Sequence, residues 1–176
     1  MKRYFLSIGS NVNPQSNVPR ILLELLQLSP KLDVSRIVET APVGLVRGES
    51  FLNCVVCFYS TCELSEQKLK FNEIEIKLGR DRSHARSKQK NRTADIDILF
   101  VLGERENPVN PELLPRESYV RPMLLELLDF LHIDCRAEKS DRRKGVAIQL
   151  EAVTVGQSAT TIHMNGAPNS IEILRA

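Results

Sequence analysis

A chain of 176 residues with 42% hydrophobic and 26% charged side chains has enough apolar content for a core of its own, and its length predicts one domain over residues 1–176. The net charge of +2 is too near neutral to argue for a nucleic acid or membrane partner, so any strong positive field must be local. No apolar run approaches the roughly 20 residues that span a bilayer, and the start from Met1 to Gly9 is too short in its apolar part for a secretory signal, so a cytoplasmic protein is the expectation.

Lys2 to Ile8 is β-rich and partly alternating and stops at Gly9-Ser10-Asn11, which reads as a strand and a turn. Ser16 or Asn17 then caps a helix with Pro19 in its first turn, and Ile21-Leu22-Leu23-Glu24-Leu25-Leu26 supplies its apolar face up to Pro30. Val34, Arg36 and Val38 alternate with Ser35, Ile37 and Glu39 as a second strand. After a loop holding Pro42, Gly44 and Gly48, Phe51 to Tyr59 is long and β-rich enough for a central strand. Ser65 to Leu78 reads as a helix with Leu69 and Ile76 turned inward and Gly79 as its stop. A basic loop from Arg80 to Arg92 leads into a strand ending at Phe100. Pro108, Pro111 and Pro115 mark an irregular connection, and Pro122 to Leu131 reads as a last helix. The order β-α-β-β-α-β with a trailing helix is a split βαβ arrangement. In the C-terminal extension, residues 133–176, Val146 to Val155 and Ala159 to Met164 alternate like strands, and Asn165-Gly166 suits a tight turn toward Ile171–Leu174. This segment is expected to add a small β layer.

Cys54 and Cys57 have the separation of a Cys-x-x-Cys pair, but in an extended run residues three apart point to opposite faces. Together with Cys62 and Cys135 they read as small core residues rather than metal ligands.

The chemistry concentrates in Arg92-Thr93-Ala94-Asp95-Ile96-Asp97-Ile98-Leu99-Phe100. With a side-chain period of two, Asp95 and Asp97 face one way, and Ala94, Ile96, Ile98 and Phe100 face the core. Adjacent carboxylates repel unless a cation lies between them, and Mg²⁺ takes such hard oxygen ligands together with phosphates and water. A solvated edge strand can carry the same pattern. The neighbouring Arg80, Arg82, Arg86, Lys88, Lys90 and Arg92 add the opposite charge that a polyphosphate needs, since guanidinium groups engage phosphate oxygens in bidentate fashion. Asn72 and Glu75 share a helix face near this loop. Asn53 interrupts an apolar strand two residues from Phe51, an arrangement suited to hydrogen-bonding a heterocycle edge while a ring stacks on it, or to a buried amide satisfied by backbone.

Gly9-Ser10-Asn11, Glu39-Thr40-Ala41-Pro42-Val43-Gly44, Phe51-Leu52-Asn53, Glu73-Ile74-Glu75, Leu78-Gly79-Arg80-Asp81-Arg82 and the Arg92–Leu99 stretch, in this order over roughly the first 130 residues, resemble the 6-hydroxymethyl-7,8-dihydropterin pyrophosphokinase family. The resemblance implies a ferredoxin-like α/β/α sandwich of the α+β class. It also implies Mg²⁺-dependent transfer of pyrophosphate from ATP, as co-substrate, to the pterin hydroxyl in folate biosynthesis, with AMP as the leaving product. By the same resemblance Asp95 and Asp97 hold two Mg²⁺ ions, and Arg82 and Arg92 join them in catalysis. Asn72, Glu75, Arg80, Ile98, Arg116 and Arg121, with Arg82 and Arg92, contact ATP, while Thr40, Val43, Phe51, Asn53 and Met123 form the pterin pocket. Asn72 stands where the family usually has Gln, Arg116 where it has His, and Met123 where it has a second stacking aromatic. Lys88-Gln89-Lys90-Asn91 precedes Arg92 in place of a Trp-containing run. The implied partners are small molecules, with no nucleic acid and no membrane. The alternative is a non-catalytic or altered-specificity relative that binds a nucleotide or pterin. RNA binding finds no support, because no strand carries the Gly-aromatic pattern of RNA-reading sheets.

Overall fold

In the computed structural model, which describes residues 1–41, 49–81, 91–135, 143–166 and 170–174, the N-terminal apolar run forms β1 (Lys2–Ser10) at the heart of an antiparallel sheet. One edge of β1 pairs with β4 (Phe51–Ser60) and the other with β5 (Asp95–Gly103). β2 (Lys31–Val34) and β3 (Val38–Thr40) both lie along β4, which makes the Phe51 run as central as its composition predicts. β8 (Thr160–Met164) pairs with β2 and β9 (Ile171–Leu174) with β8, giving the order β5-β1-β4-β2-β8-β9. The protein is thus of mixed helix and antiparallel sheet, the α+β class.

Alternation along the strands sorts apolar side chains to two sides. Tyr4, Leu6 and Ile8 of β1 and Leu52, Cys54, Val56 and Phe58 of β4 meet α1 (Pro14–Leu28) and α2 (Leu64–Lys77) in one buried cluster. Phe5, Val55 and Cys57 meet α3 (Arg121–Phe130) in the other. Cys54 and Cys57 therefore face opposite sides, as their spacing requires. Among the described residues no helix is long and apolar enough to cross a membrane.

Several local expectations need correction. α1 begins at Pro14, before Ser16 or Asn17, because Asn13 accepts a left-handed backbone (φ 41°) and proline is pre-set for the first helical position. The strand expected over residues 34–39 is two strands, β2 and β3. Between them the Ile37 N–H donates to the Gly156 carbonyl at 2.8 Å and its own carbonyl accepts from Val146 N at 2.8 Å, so a distant segment takes the bonds that would continue the ladder. On α2, Leu69 and Ile76 are not inward but 63% and 59% exposed. The buried face is Gln67, Phe71, Ile74 and Glu75, and its two polar members hide the apolar period. Finally, Phe100 does not share a face with Ile96. The pairing steps from Phe5 opposite Phe100 to Leu6 opposite Ile98, leaving Leu99 as an extra residue. This β-bulge turns Phe100 to the α3 side, where it stacks on Phe5 at 4.7 Å, while Ala94 and Ile96 stay in the α1–α2 cluster.

The C-terminal extension behaves as a layer only in part. β6 (Ile148–Leu150) and β7 (Val153–Val155) form a separate two-stranded hairpin whose Ile148, Leu150 and Val155 join the α1–α2 cluster. β8 and β9 instead lengthen the main sheet, since β2 offers an unpaired edge that another strand satisfies.

Candidate functional site

The sheet brings the two carboxylates and the polar residues of β4 to one face. Asp95 lies opposite Gly9 and Asp97 opposite Ser7, while Gly9 lies opposite Asn53 on its other side. Directly opposed residues in an antiparallel pair project the same way. The row Asp95, Gly9, Asn53 therefore crosses three strands on the α3 side, with Phe51 two residues along from Asn53. Asn53 is buried and its amide nitrogen donates to Thr40 Oγ1 at 2.6 Å. A Cβ at position 9 would stand 2.4 Å from Asn53 Oδ1, so only glycine leaves room for that amide between the strands.

Two guanidinium groups converge on Asp95. Just past the end of α2, Gly79 with its φ of 87° turns the chain back, and Arg80 then donates from Nη1 to Asp95 Oδ1 at 2.6 Å, to the Ala94 carbonyl at 3.3 Å and to Glu75. Arg92 donates from its Nη1 to the other oxygen, Asp95 Oδ2. Glu75 is fully buried, and its Oε1 also accepts from the Ile96 N–H at 2.7 Å, which joins the end of α2 to the start of β5. Glu75, expected at a nucleotide, faces Arg80 and the strand backbone. Asp97 is exposed.

Behind Asp97 a cleft of about 480 Å³ runs between α2 and β5, lined by Asn72, Arg80, Asp97 and Ile98 among others. Four residues expected at ATP or metal thus share one cavity. Tyr119, half-buried before α3, is coupled electrostatically to the same acids. Burial pushes its hydroxyl pKa up, and the charges of Glu117, Asp95 and Asp97 push the same way. Arg116 is exposed on the approach to α3, and Arg121 opens that helix. Met123 is fully buried in the α3 cluster and offers no surface. Arg82 and Val43 lie outside the described residues.

Among the described residues no group of three or more His, Cys, Asp or Glu gathers as a metal site. The chemistry of the donors nonetheless suits Mg²⁺. Asp95 and Asp97 are hard oxygen donors on one face, and this ion is commonly held by one or two carboxylates with phosphate and water completing its shell.

The model of the 7,8-dihydro-6-hydroxymethylpterin-pyrophosphokinase family matches residues 5–129. The chain belongs to this family. Proteins named 2-amino-4-hydroxy-6-hydroxymethyldihydropteridine pyrophosphokinase from two strains of Porphyromonas gingivalis are 33% identical over 138 residues, 73% of this chain and 92% of theirs. A protein named bifunctional protein FolKE from Lactococcus lactis subsp. lactis is 29% identical over 137 residues, 73% of this chain and 38% of that protein. The pyrophosphokinase match closes within α3, so β6 to β9 fall beyond it although they complete the core.

The end of β1 in this pyrophosphokinase chain is more than the turn its residues suggest. Ser10 and Asn11, read there as a turn, are fully buried and bond to residues 91 and 92. A signal was present: small polar residues following an apolar strand, spaced by more than 80 positions from the segment they hold. Sequence separation conceals that partner.

Proposed function

We propose that this protein transfers the β,γ-pyrophosphoryl unit of ATP, in the presence of Mg²⁺, to the hydroxyl of 6-hydroxymethyl-7,8-dihydropterin, releasing AMP. The observation that carries the reading is the shared face of Asp95, Asp97 and Asn53, with Arg80 and Arg92 both on Asp95. Phosphoryl-type transfer asks a protein mainly for positioning and charge stabilisation, and these side chains provide both.

In this reading Asp95 and Asp97 hold Mg²⁺, which when bound neutralises phosphate charge and draws electron density from the reacting phosphorus. Arg80 and Arg92 take phosphate oxygens, since a planar guanidinium matches phosphate oxygens in bidentate fashion. The purine lies in the α2–β5 cleft against Asn72 and Ile98, supported by the volume and lining of that cavity. Asn53 and Thr40, already hydrogen-bonded to each other, present amide and hydroxyl groups to the pterin edge, and Phe51 supplies a stacking face. The row across Gly9 then sets acceptor and donor side by side. Strand order β5-β1-β4-β2 with helices on both faces supports the ferredoxin-like sandwich, and the continuation of the sheet into β8 and β9 supports a single domain over residues 1–176. Cytoplasmic folate biosynthesis is the setting this reaction implies.

The test is purified protein with Mg²⁺, ATP and 6-hydroxymethyl-7,8-dihydropterin, followed for AMP and the pterin diphosphate. Stoichiometric formation of both products is expected, lost with a chelator and in Asp97→Ala. In Arg92→Ala turnover is expected to fall more than nucleotide affinity. Intact nucleotide binding by the wild-type protein without AMP release overturns the reading in favour of a binding-only relative.

A further inference from the structure

Asn11 has no place in the chemistry above, yet its side-chain amide and its backbone N–H are all directed at one short segment. It is fully buried at the end of β1. Its side-chain Nδ2 donates to Asn91 Oδ1 at 2.9 Å, and its Oδ1 accepts from the backbone N–H of Arg92 at 2.6 Å. Its own N–H donates to the Arg92 carbonyl at 3.0 Å, joined there by Val12 N at 3.3 Å and the Ser10 hydroxyl at 3.3 Å. Both backbone groups of Arg92 are therefore held by the tip of β1. Farther out, the guanidinium of the same residue reaches Asp95.

An arginine side chain carries about 2 kcal/mol of rotamer entropy. Anchoring its main chain leaves only the side-chain torsions to be ordered, and one end of those is already engaged by Asp95. Positional errors of about 1 Å in a charge-stabilising group can cost about a hundredfold in rate. We propose that Asn11 is the positioning residue for Arg92, locking the backbone from which that guanidinium is aimed at the transferred group. The inference rests on the pyrophosphokinase reading for its kinetic consequence but not for its structural one.

Two readouts separate these. In the free protein labelled with ¹⁵N, the arginine Nε–Hε resonance assigned to Arg92 by its loss in Arg92→Ala is expected to move toward the exposed-arginine position in Asn11→Ala. It is expected to move only part of that way in Asn11→Asp, which keeps an acceptor for the Arg92 N–H but loses the donor to Asn91. In kinetics, Asn11→Ala is expected to lower kcat about tenfold or more with KM for both substrates within about threefold. The double variant with Arg92→Ala is expected to be no slower than Arg92→Ala alone, since residues acting through one another are not additive. An unmoved resonance, or losses that multiply in the double variant, overturns the proposal. Should Asn11→Ala fail to fold, Asn11→Asp carries the test: a reduced kcat there with the Arg92 resonance unmoved overturns the proposal. A resonance that moves as expected in a wild-type background that forms no AMP overturns only the catalytic reading.

Discussion

Gly9 shows how much one missing atom can decide. Its neighbours across the sheet are Asp95 and Asn53, and a methyl group there would meet Asn53 Oδ1 at 2.4 Å. Gly9→Ala must displace an amide that is buried and tied to Thr40, so KM for the pterin is expected to rise about tenfold, equivalent to ~1.4 kcal/mol, with nucleotide affinity unchanged. Separate titrations with each substrate check this. Two other residues define a pH limit. Burial pushes the Cys54 and Cys57 thiols up to about 12 from 9.0. Well below pH 9 both are protonated folded or unfolded, and they add no slope. Above it the unfolded chain releases protons that the native state keeps, so stability falls as pH rises toward 12, by ~1.4 kcal/mol per unit for each thiol. Urea midpoints between pH 8 and 10.5 are expected to fall, and to fall less in Cys54→Ala/Cys57→Ala.

At the scale of elements, α2 carries two kinds of leucine-like positions that look equivalent on paper. Leu69 and Ile76 stand on the exposed side, whereas Phe71 packs edge-on against Phe58 with centroids 5.4 Å apart. Phe71→Ala is expected to cost about 3–5 kcal/mol by removing buried ring volume, while Leu69→Gln and Ile76→Gln stay within about 0.5 kcal/mol of wild type. Chemical denaturation of the three variants decides the assignment of faces. The end of the same helix serves the site, because Glu75 and Arg80 attach it to Ile96 and Asp95. The bulge at Leu99 belongs here too: it lets β5 present Asp95 and Asp97 at one end and Phe100 at the other on a single face.

The whole molecule depends on its C-terminal strands. Ile148, Leu150, Val155, Ile162 and Ile171 are buried in the cluster beneath α1 and α2, and burial of one such side chain contributes about 1.5–3 kcal/mol. Their sum, about ten kcal/mol, equals the typical stability of a domain. Glu126 adds a polar tie, accepting from Arg36 Nε at 2.7 Å on one oxygen and from Ala159 N at 3.1 Å on the other. A chain ending at Asp134 is therefore expected to lose cooperative thermal unfolding even though it retains the family-matching stretch, as circular dichroism can measure.

Composition, alternation and motif order were enough for the α+β class, the central place of Phe51–Ser60, the opposed faces of Cys54 and Cys57 and the family, because each depends on a local period or a short linear pattern. Partners far apart in the chain decided the rest. Ile37 leaves its strand for Gly156 and Val146, Glu75 is buried against the Ile96 N–H of β5, and Asn11 reaches across 80 positions to Asn91. Hydrogen bonds of that kind carry no periodicity, so a buried polar residue reads as a surface one until the fold supplies what it bonds to.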